Sequence, residues 1–175
     1  MLKLSKIKPN PNNPRLIKDI KFLKLVKSIL TFPEMLKLRP IVLDENNMIL
    51  GGNMRYKALQ HINTLNVLNE LESFNLEADR LVYLLDYWNK FKESKEVETI
   101  QAKDLTDEQK NEFIIKDNVS FGEMDFDILT SNFSEIDLND WGFDVPVFED
   151  EDNEIEEKEE KEKTIKTCPH CGEVV

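Results

Sequence analysis

Cysteine is nearly absent from this 175-residue chain: two occur, three positions apart, at Cys168 and Cys171. Thiols that close cannot build a disulfide framework, which fits a reducing compartment. No apolar run approaches the roughly 18–20 residues a membrane span needs, and the opening MLKLSKIKPNPNNP lacks a signal peptide's apolar stretch. A cytoplasmic protein with no membrane partner is the expectation. Glycine is also sparse, at five residues. The one adjacent pair, Gly51-Gly52, matches neither the GxxxxGK phosphate loop nor the GxGxxG dinucleotide turn. Hydrophobic residues make up 40%, enough for one core but below the usual share, so part of the chain is expected to stay solvated. The length suits one domain of ordinary size and a tail.

Positive charge is outweighed, with 23 Lys+Arg against 35 Asp+Glu and a formal net charge of −12. That total averages unlike parts. Residues 1–61 carry 12 Lys+Arg and 4 Asp+Glu, residues 62–148 carry 7 and 20, and residues 149–163 carry 3 and 10. Basic charge collects in the first third, where a phosphate ligand is to be sought.

Residues 2–8 read as a short strand, and the Pro- and Asn-rich run from Pro9 to Pro14 breaks regular structure. A helix is predicted from Asp19 as N-cap, with Phe22, Leu25, Val26, Ile29 and Leu30 on one face, ending before Pro33. Residues 40–44 and 48–50 read as two strands around a turn, and the diglycine leads into a helix from Asn53 to His61. Val67, Leu71, Phe74, Ala78, Leu81, Leu85 and Trp88 step by four and three. That rhythm fits a coiled-coil seam, and with it a homodimer, or one or two amphipathic helices packed on their own domain. Residues 97–100 read as a further core strand. Thr106 and Gln109 form a capping-box pattern for a helix that stops around Asn118, and Asp125 can cap another. Ile136, Leu138 and Trp141-Gly142-Phe143 are expected to add core. The division is a domain at 1–146 with a helical insertion at about 64–94, an acidic linker at 147–166 and a CxxC knuckle at 167–175. The linker is too charged to bury enough apolar area to offset its ordering entropy, so it reads as disordered.

Three segments carry polar chemistry. Gly51-Gly52-Asn53-Met54-Arg55-Tyr56-Lys57 puts glycines between a strand and a helix, where backbone N–H groups and a guanidinium can meet an anion. The same spacing suits a tight turn with solvated cations. Asn10-Pro11-Asn12-Asn13-Pro14-Arg15 is a stiff loop that suits a ligand rim or an ordinary turn. Asp117-Asn118 can hold a hydrated divalent cation beside phosphates, or Asn118 can be a helix C-cap.

The order PNPNNPR, a helix, a Pro-Ile-Val-Leu strand pair and GGNMRYKAL resembles the N-terminal domain of the ParB/sulfiredoxin superfamily. The stretch LTDEQKNEFIIKDNVSFGEMDFDIL followed by DLNDWGF is similar to the ParB-like (ParB-like nuclease) proteins of phages and mobile elements. The resemblance spans about residues 2–145. It implies an α+β fold, a small mixed sheet flanked by helices, and a nucleotide pocket formed by Asn10, Pro11, Pro14, Arg15, Pro40, Gly51, Gly52, Asn53, Arg55 and Tyr56. It implies a nucleoside triphosphate, CTP or ATP, with Mg²⁺ at Asp117 and Asn118. It also implies a bacterial host cell and a role in DNA modification, packaging or partition-related transactions.

The departures are informative. Sulfiredoxins carry Cys directly after the diglycine, and Asn53 in that place excludes sulfinic-acid repair. Met54 stands where ParB proteins carry a further Arg, leaving one guanidinium there for a triphosphate. Residues after 120 are acidic and too few for a helix-turn-helix DNA reader, which argues against a centromere-binding protein. Any chemistry would act on a phosphate bond, as in an NTPase or phosphotransferase. One alternative is a non-enzymatic adapter, its basic first third on DNA and its tail on a DNA methyltransferase or terminase-type packaging protein. A second is a metal-dependent nuclease using Asp117, Glu123, Asp125 and Asp127, although Asp125 and Asp127 can simply start a helix. Cys168 and Cys171, with His170 inside the loop, make half a zinc ribbon. Zn²⁺ there would need ligands from elsewhere, and a vestigial ribbon fits equally.

Overall fold

The computed structural model describes residues 1–14, 17–119, 124–134, 136, 138 and 141–143, and all of them belong to one unit, Met1–Asp144. Among the described residues the chain is mixed α+β, with seven α-helices and two small sheets of two and three strands. The acidic linker and the knuckle lie outside the described residues. No helix among those described is long and apolar enough to cross a membrane.

The hairpin forms where two short apolar runs meet at a turn. Strands β2 (Ile41–Leu43) and β3 (Ile49–Gly51) are antiparallel. Asp44 Oδ1 accepts the backbone N–H groups of Asn46 at 2.8 Å and Met48 at 2.7 Å, and Asn47 takes the left-handed conformation such turns favour. Strand β5 (Thr99–Gln101) adds parallel to β2, giving the order β3-β2-β5. The single strand expected over residues 97–100 is divided. Val97 belongs to β4 (Glu96–Val97), which pairs with β1 (Leu2–Lys3), while Thr99 starts β5. Glu98 sits between, its carbonyl accepting the Ile41 N–H at 3.1 Å, so one extended segment serves two neighbours.

Helix α1 (Asp19–Thr31) begins one residue earlier than expected: Asp19 is its first residue and Lys18 holds the cap position. Helices α2 (Met35–Leu38) and α3 (Asn53–Thr64) follow. The heptad rhythm is not one helix. It breaks into α4 (Val67–Glu72) and α5 (Ala78–Ser94), with Asn75 left-handed between them. Of that rhythm Val67, Leu71 and Trp88 are buried and Phe74, Leu81 and Leu85 pack against the same core, so it faces inward except at Ala78, which is exposed at the start of α5. Leu30, Ile41, Leu43, Ile49, Leu59 and Ile62 are fully buried beside them. Helices α6 (Asp107–Asn118) and α7 (Phe126–Asn132) follow. The core expected near the end is only partly there. Leu138 is buried, but Ile136 is 75% exposed and Trp141 60% exposed, and Trp141 meets Phe133 edge to face at 5.7 Å.

Helix α5 does more than fill volume. The last carbonyls of a helix have no intrahelical partner, and α1 carries no basic residue in its final turn. Trp88 Nε1 donates to the Leu30 carbonyl at 3.0 Å and Arg80 Nη2 to the Thr31 carbonyl at 2.7 Å. Lys92 Nζ likewise donates to the carbonyl of Leu65, the C-cap of α3. One helix thus closes the C-terminal ends of two others.

Candidate functional site

The N-terminal ends of α1 and α3 open on a cavity of about 530 Å³. Lys18 and Lys21 line it from α1, Gly52 to Arg55 from the start of α3, Arg39 from the end of α2, and Asp117 and Asn118 from the end of α6. Asn13, Ile17 and Leu25 complete the lining.

Gly52 occupies the cap position of α3 with φ +98°, in the left-handed region that glycine tolerates. A Cβ there would come within 3.0 Å of the Arg55 guanidinium, which lies folded over the turn. Arg55 Nη2 donates to the Pro40 carbonyl at 3.2 Å, so the guanidinium is positioned between the diglycine and the start of β2. Gly51 is needed for a different close approach. A Cβ on it would meet Asp117 Oδ2 at 3.1 Å and Phe113 at 3.2 Å.

Helix α6 reaches this place through its own local chemistry. The Thr106–Gln109 capping box forms in both directions. Lys110 then bridges to Glu45 at the β2–β3 turn at 2.9 Å, and Ile114 is buried. Lys110 pulls the Glu45 carboxyl below its ordinary pKa, chiefly by donating a hydrogen bond to it. The helix then ends with Asp117 against Gly51. Asn118 Nδ2 donates back to the Ile114 carbonyl at 2.6 Å, which commits its nitrogen and leaves the amide oxygen as the group it can offer a cation.

Three of the expected ligand residues, Asn10, Asn53 and Tyr56, are tied into the fold by hydrogen bonds. Asn10 and Asn53, 9% and 6% exposed, exchange hydrogen bonds: the Asn10 N–H donates to Asn53 Oδ1 at 3.2 Å, and Asn53 Nδ2 donates to the Asn10 carbonyl at 3.3 Å. Asn10 Oδ1 also accepts the Asn12 N–H at 2.9 Å, which shapes the Pro-rich loop. The pair fastens that loop to the head of α3. Tyr56 is buried, donates to the Ile7 carbonyl at 3.2 Å and accepts from Gln60 at 3.0 Å. Burial pushes its phenol pKa up.

The structure therefore gathers Gly51, Gly52, Asn53, Arg55, Pro40, Asp117 and Asn118 at one place. Asn10 and Tyr56 support it from behind, and Pro11 and Lys57 are exposed without lining the cavity. Arg15, Glu123, Cys168, His170, Cys171 and the side chain of Asp127 lie outside the described residues. Asp125 is occupied as the cap of α7, accepting the Ile128 N–H at 3.0 Å. No group of three or more His, Cys, Asp or Glu side chains that could hold a metal ion occurs among the described residues. Lys18, Lys21 and Arg39 escaped sequence reasoning. Lysines in the first turn of a helix, where a polar or acidic cap is usual, were the available signal. No protein-family model, no curated protein and no solved structure matches the chain.

Proposed function

We propose that this chain is a ParB-like nucleotide-binding protein of phage or mobile-element origin that acts in DNA transactions. Its ligand is a nucleoside triphosphate, CTP or ATP, taken into the cavity with Mg²⁺. The observation that carries the reading is a meeting of distant segments. Asp117, from α6, stands 3.1 Å from the place a Gly51 Cβ would occupy, and it shares one cavity with Gly52, Arg55 and Asn118.

Each part suits phosphate. Helix N-termini and their first N–H groups attract anions, and Arg55 can pair with phosphate oxygens through two donors. One carboxylate and one amide oxygen cannot cage a bare cation, but they fit Mg²⁺ that arrives on phosphates and keeps waters. When bound, the ion would neutralise phosphate charge at Asp117 and Asn118. Isothermal titration with each nucleoside triphosphate and Mg²⁺ tests the reading. Binding by wild type and its loss in Arg55→Ala are expected; no binding by wild type, or unchanged binding in the variant, overturns it.

A second reading, an adapter for a DNA methyltransferase or terminase-type protein, is favoured by one observation. Met124, Ile128, Phe133, Ile136 and Trp141, close in sequence, are all 45% exposed or more. Co-expression with such an enzyme should give a complex that Ile128→Glu disrupts and Arg55→Ala leaves intact.

A further inference from the structure

Helix α6 carries Asp117 to the cavity on a narrow attachment. Lys110, Phe113, Ile114 and Asp117 are spaced i, i+3, i+4 and i+7, so they share the face of the helix that meets β3. Ile114 is the one buried residue of α6, and Phe113 is half-buried. A helix set on so little apolar surface belongs to the part of a fold that opens most easily. Its local bonds do not change that. The capping box, the Lys116–Glu112 pair and the Asn118 bond to Ile114 all begin and end within the helix and its cap. They favour the helix without fixing where it lies.

Lys110 is different. Its side chain is 13% exposed, and Nζ meets Asp107 Oδ1 at 3.0 Å inside the helix and Glu45 Oε1 at 2.9 Å on the β2–β3 turn. Among the described residues, the Glu45 bond is the one side-chain hydrogen bond or ion pair of α6 that reaches beyond the helix and its cap. The turn is itself fastened: Asp44 closes it, the Asn47 carbonyl accepts the Lys8 N–H at 2.9 Å, and Asn47 Oδ1 accepts a bond from Gln101 at 3.0 Å. Lys110 thus ties the start of α6 to a fixed point, and two turns later the same face brings Asp117 against Gly51. Resting on the nucleotide reading, we infer that Lys110 and Glu45 position Asp117 for the phosphate-borne Mg²⁺. Both are positioning residues: neither lines the cavity, and Lys110 stands about 10 Å along the helix from Asp117. Mg²⁺ demands near-ideal geometry, so a helix end that drifts costs cation affinity before it costs the phosphate contacts of Gly52 and Arg55.

Isothermal titration of the full chain with ATP and with CTP, each with Mg²⁺ and with chelator, tests this. The readout is the factor by which Mg²⁺ strengthens nucleotide binding. Lys110→Ala and Glu45→Gln should each lower that factor by about three- to five-fold, the range of a partly exposed pair. Binding without Mg²⁺ should change by less than about two-fold in both. Lys110→Arg, which can keep both ion pairs, should retain the wild-type factor. Asp107→Asn should retain it too, because it removes the Lys110 bond inside the helix and leaves the bond to Glu45. In an Asp117→Asn background, Lys110→Ala should lower the factor no further. A wild-type factor in both Lys110→Ala and Glu45→Gln, or equal weakening with and without Mg²⁺, overturns the inference while the nucleotide reading stands. A loss in Asp107→Asn as large as in Glu45→Gln also overturns it, assigning Lys110 to helix stability. Nucleotide binding by wild type that Mg²⁺ does not strengthen overturns it as well. No nucleotide bound by wild type under either condition overturns both.

Discussion

Helices α1 and α3 meet opposite treatment at their two ends. At the C-terminal ends, side chains of α5 take up the orphan carbonyls: Trp88 on Leu30, Arg80 on Thr31 and Lys92 on Leu65. At the N-terminal ends the cap positions belong to Lys18 and Gly52, neither of which makes a side-chain capping bond, and a cavity opens there. A Ser or Asp in place of Lys18 would add about 1 kcal/mol, whereas the left-handed backbone at Gly52 admits no side chain without strain. The closed ends adjoin the core, and the open ends border the cavity.

The contrast can be broken in several places. The largest effect is expected at Trp88, which is 0% exposed and packs edge to face on Tyr87 at 5.2 Å and Phe91 at 5.5 Å. Trp88→Ala removes that volume together with the cap on Leu30, and should destabilise by about 3–5 kcal/mol in denaturant unfolding. A cost no greater than that of a cavity-side substitution would dissolve the distinction between the two ends. Asn53→Ala is expected to cost less, about 1–3 kcal/mol, because it strands the Asn10 N–H and carbonyl that now bond to it. The same variant should loosen the Pro-rich loop, seen as faster amide exchange over residues 10–14.

The smallest effect sharpens the closed end. Glu34 accepts two bonds from Arg80, at 2.9 and 3.1 Å, and these hold its carboxyl below the ordinary 4.5. A depressed carboxyl pKa adds stability that is present above the unfolded value and is lost as pH falls through the folded one. Both side chains are about a third exposed, so Glu34→Gln should cost less than about 1 kcal/mol at neutral pH. The gap between wild type and variant should close in melts taken below the ordinary carboxyl range. A gap that persists in acid would mean that the Glu34 charge is not what ties α5 to the end of α1.

Much of the local architecture was legible because its causes are local. The capping box at Thr106, the Asp125 cap, the turn at residues 45–47 and the apolar face of α1 all depend on residues within a few positions of one another. The division of residues 96–101 between two sheets was not legible, because it depends on where Leu2 and Ile41 lie. Trp141 and Ile136 misled because apolar character records only a tendency to be buried: Phe133 meets one edge of Trp141 and leaves it mostly exposed, and Ile136 is more exposed still. The heptad rhythm left two readings open for a related reason: a period of 3.5 shows which face is apolar without showing whose core it meets, and here it meets the core of its own domain.

The candidate site divides in the same way. Composition and spacing alone placed the basic charge in the first third, put a diglycine at a strand-to-helix junction, and set an Asp-Asn pair at a helix end. Those follow from φ preferences, side-chain pKa values and helix periodicity, which need no tertiary partner. Only the packed fold brought Asp117 against Gly51, turned Asn53 and Tyr56 to fastening the Pro-rich loop and α3, and added Lys18, Lys21 and Arg39 to the lining. Those placements follow from α6 docking on β3 and α1 lying along α3, contacts between segments tens of residues apart that no local rule encodes.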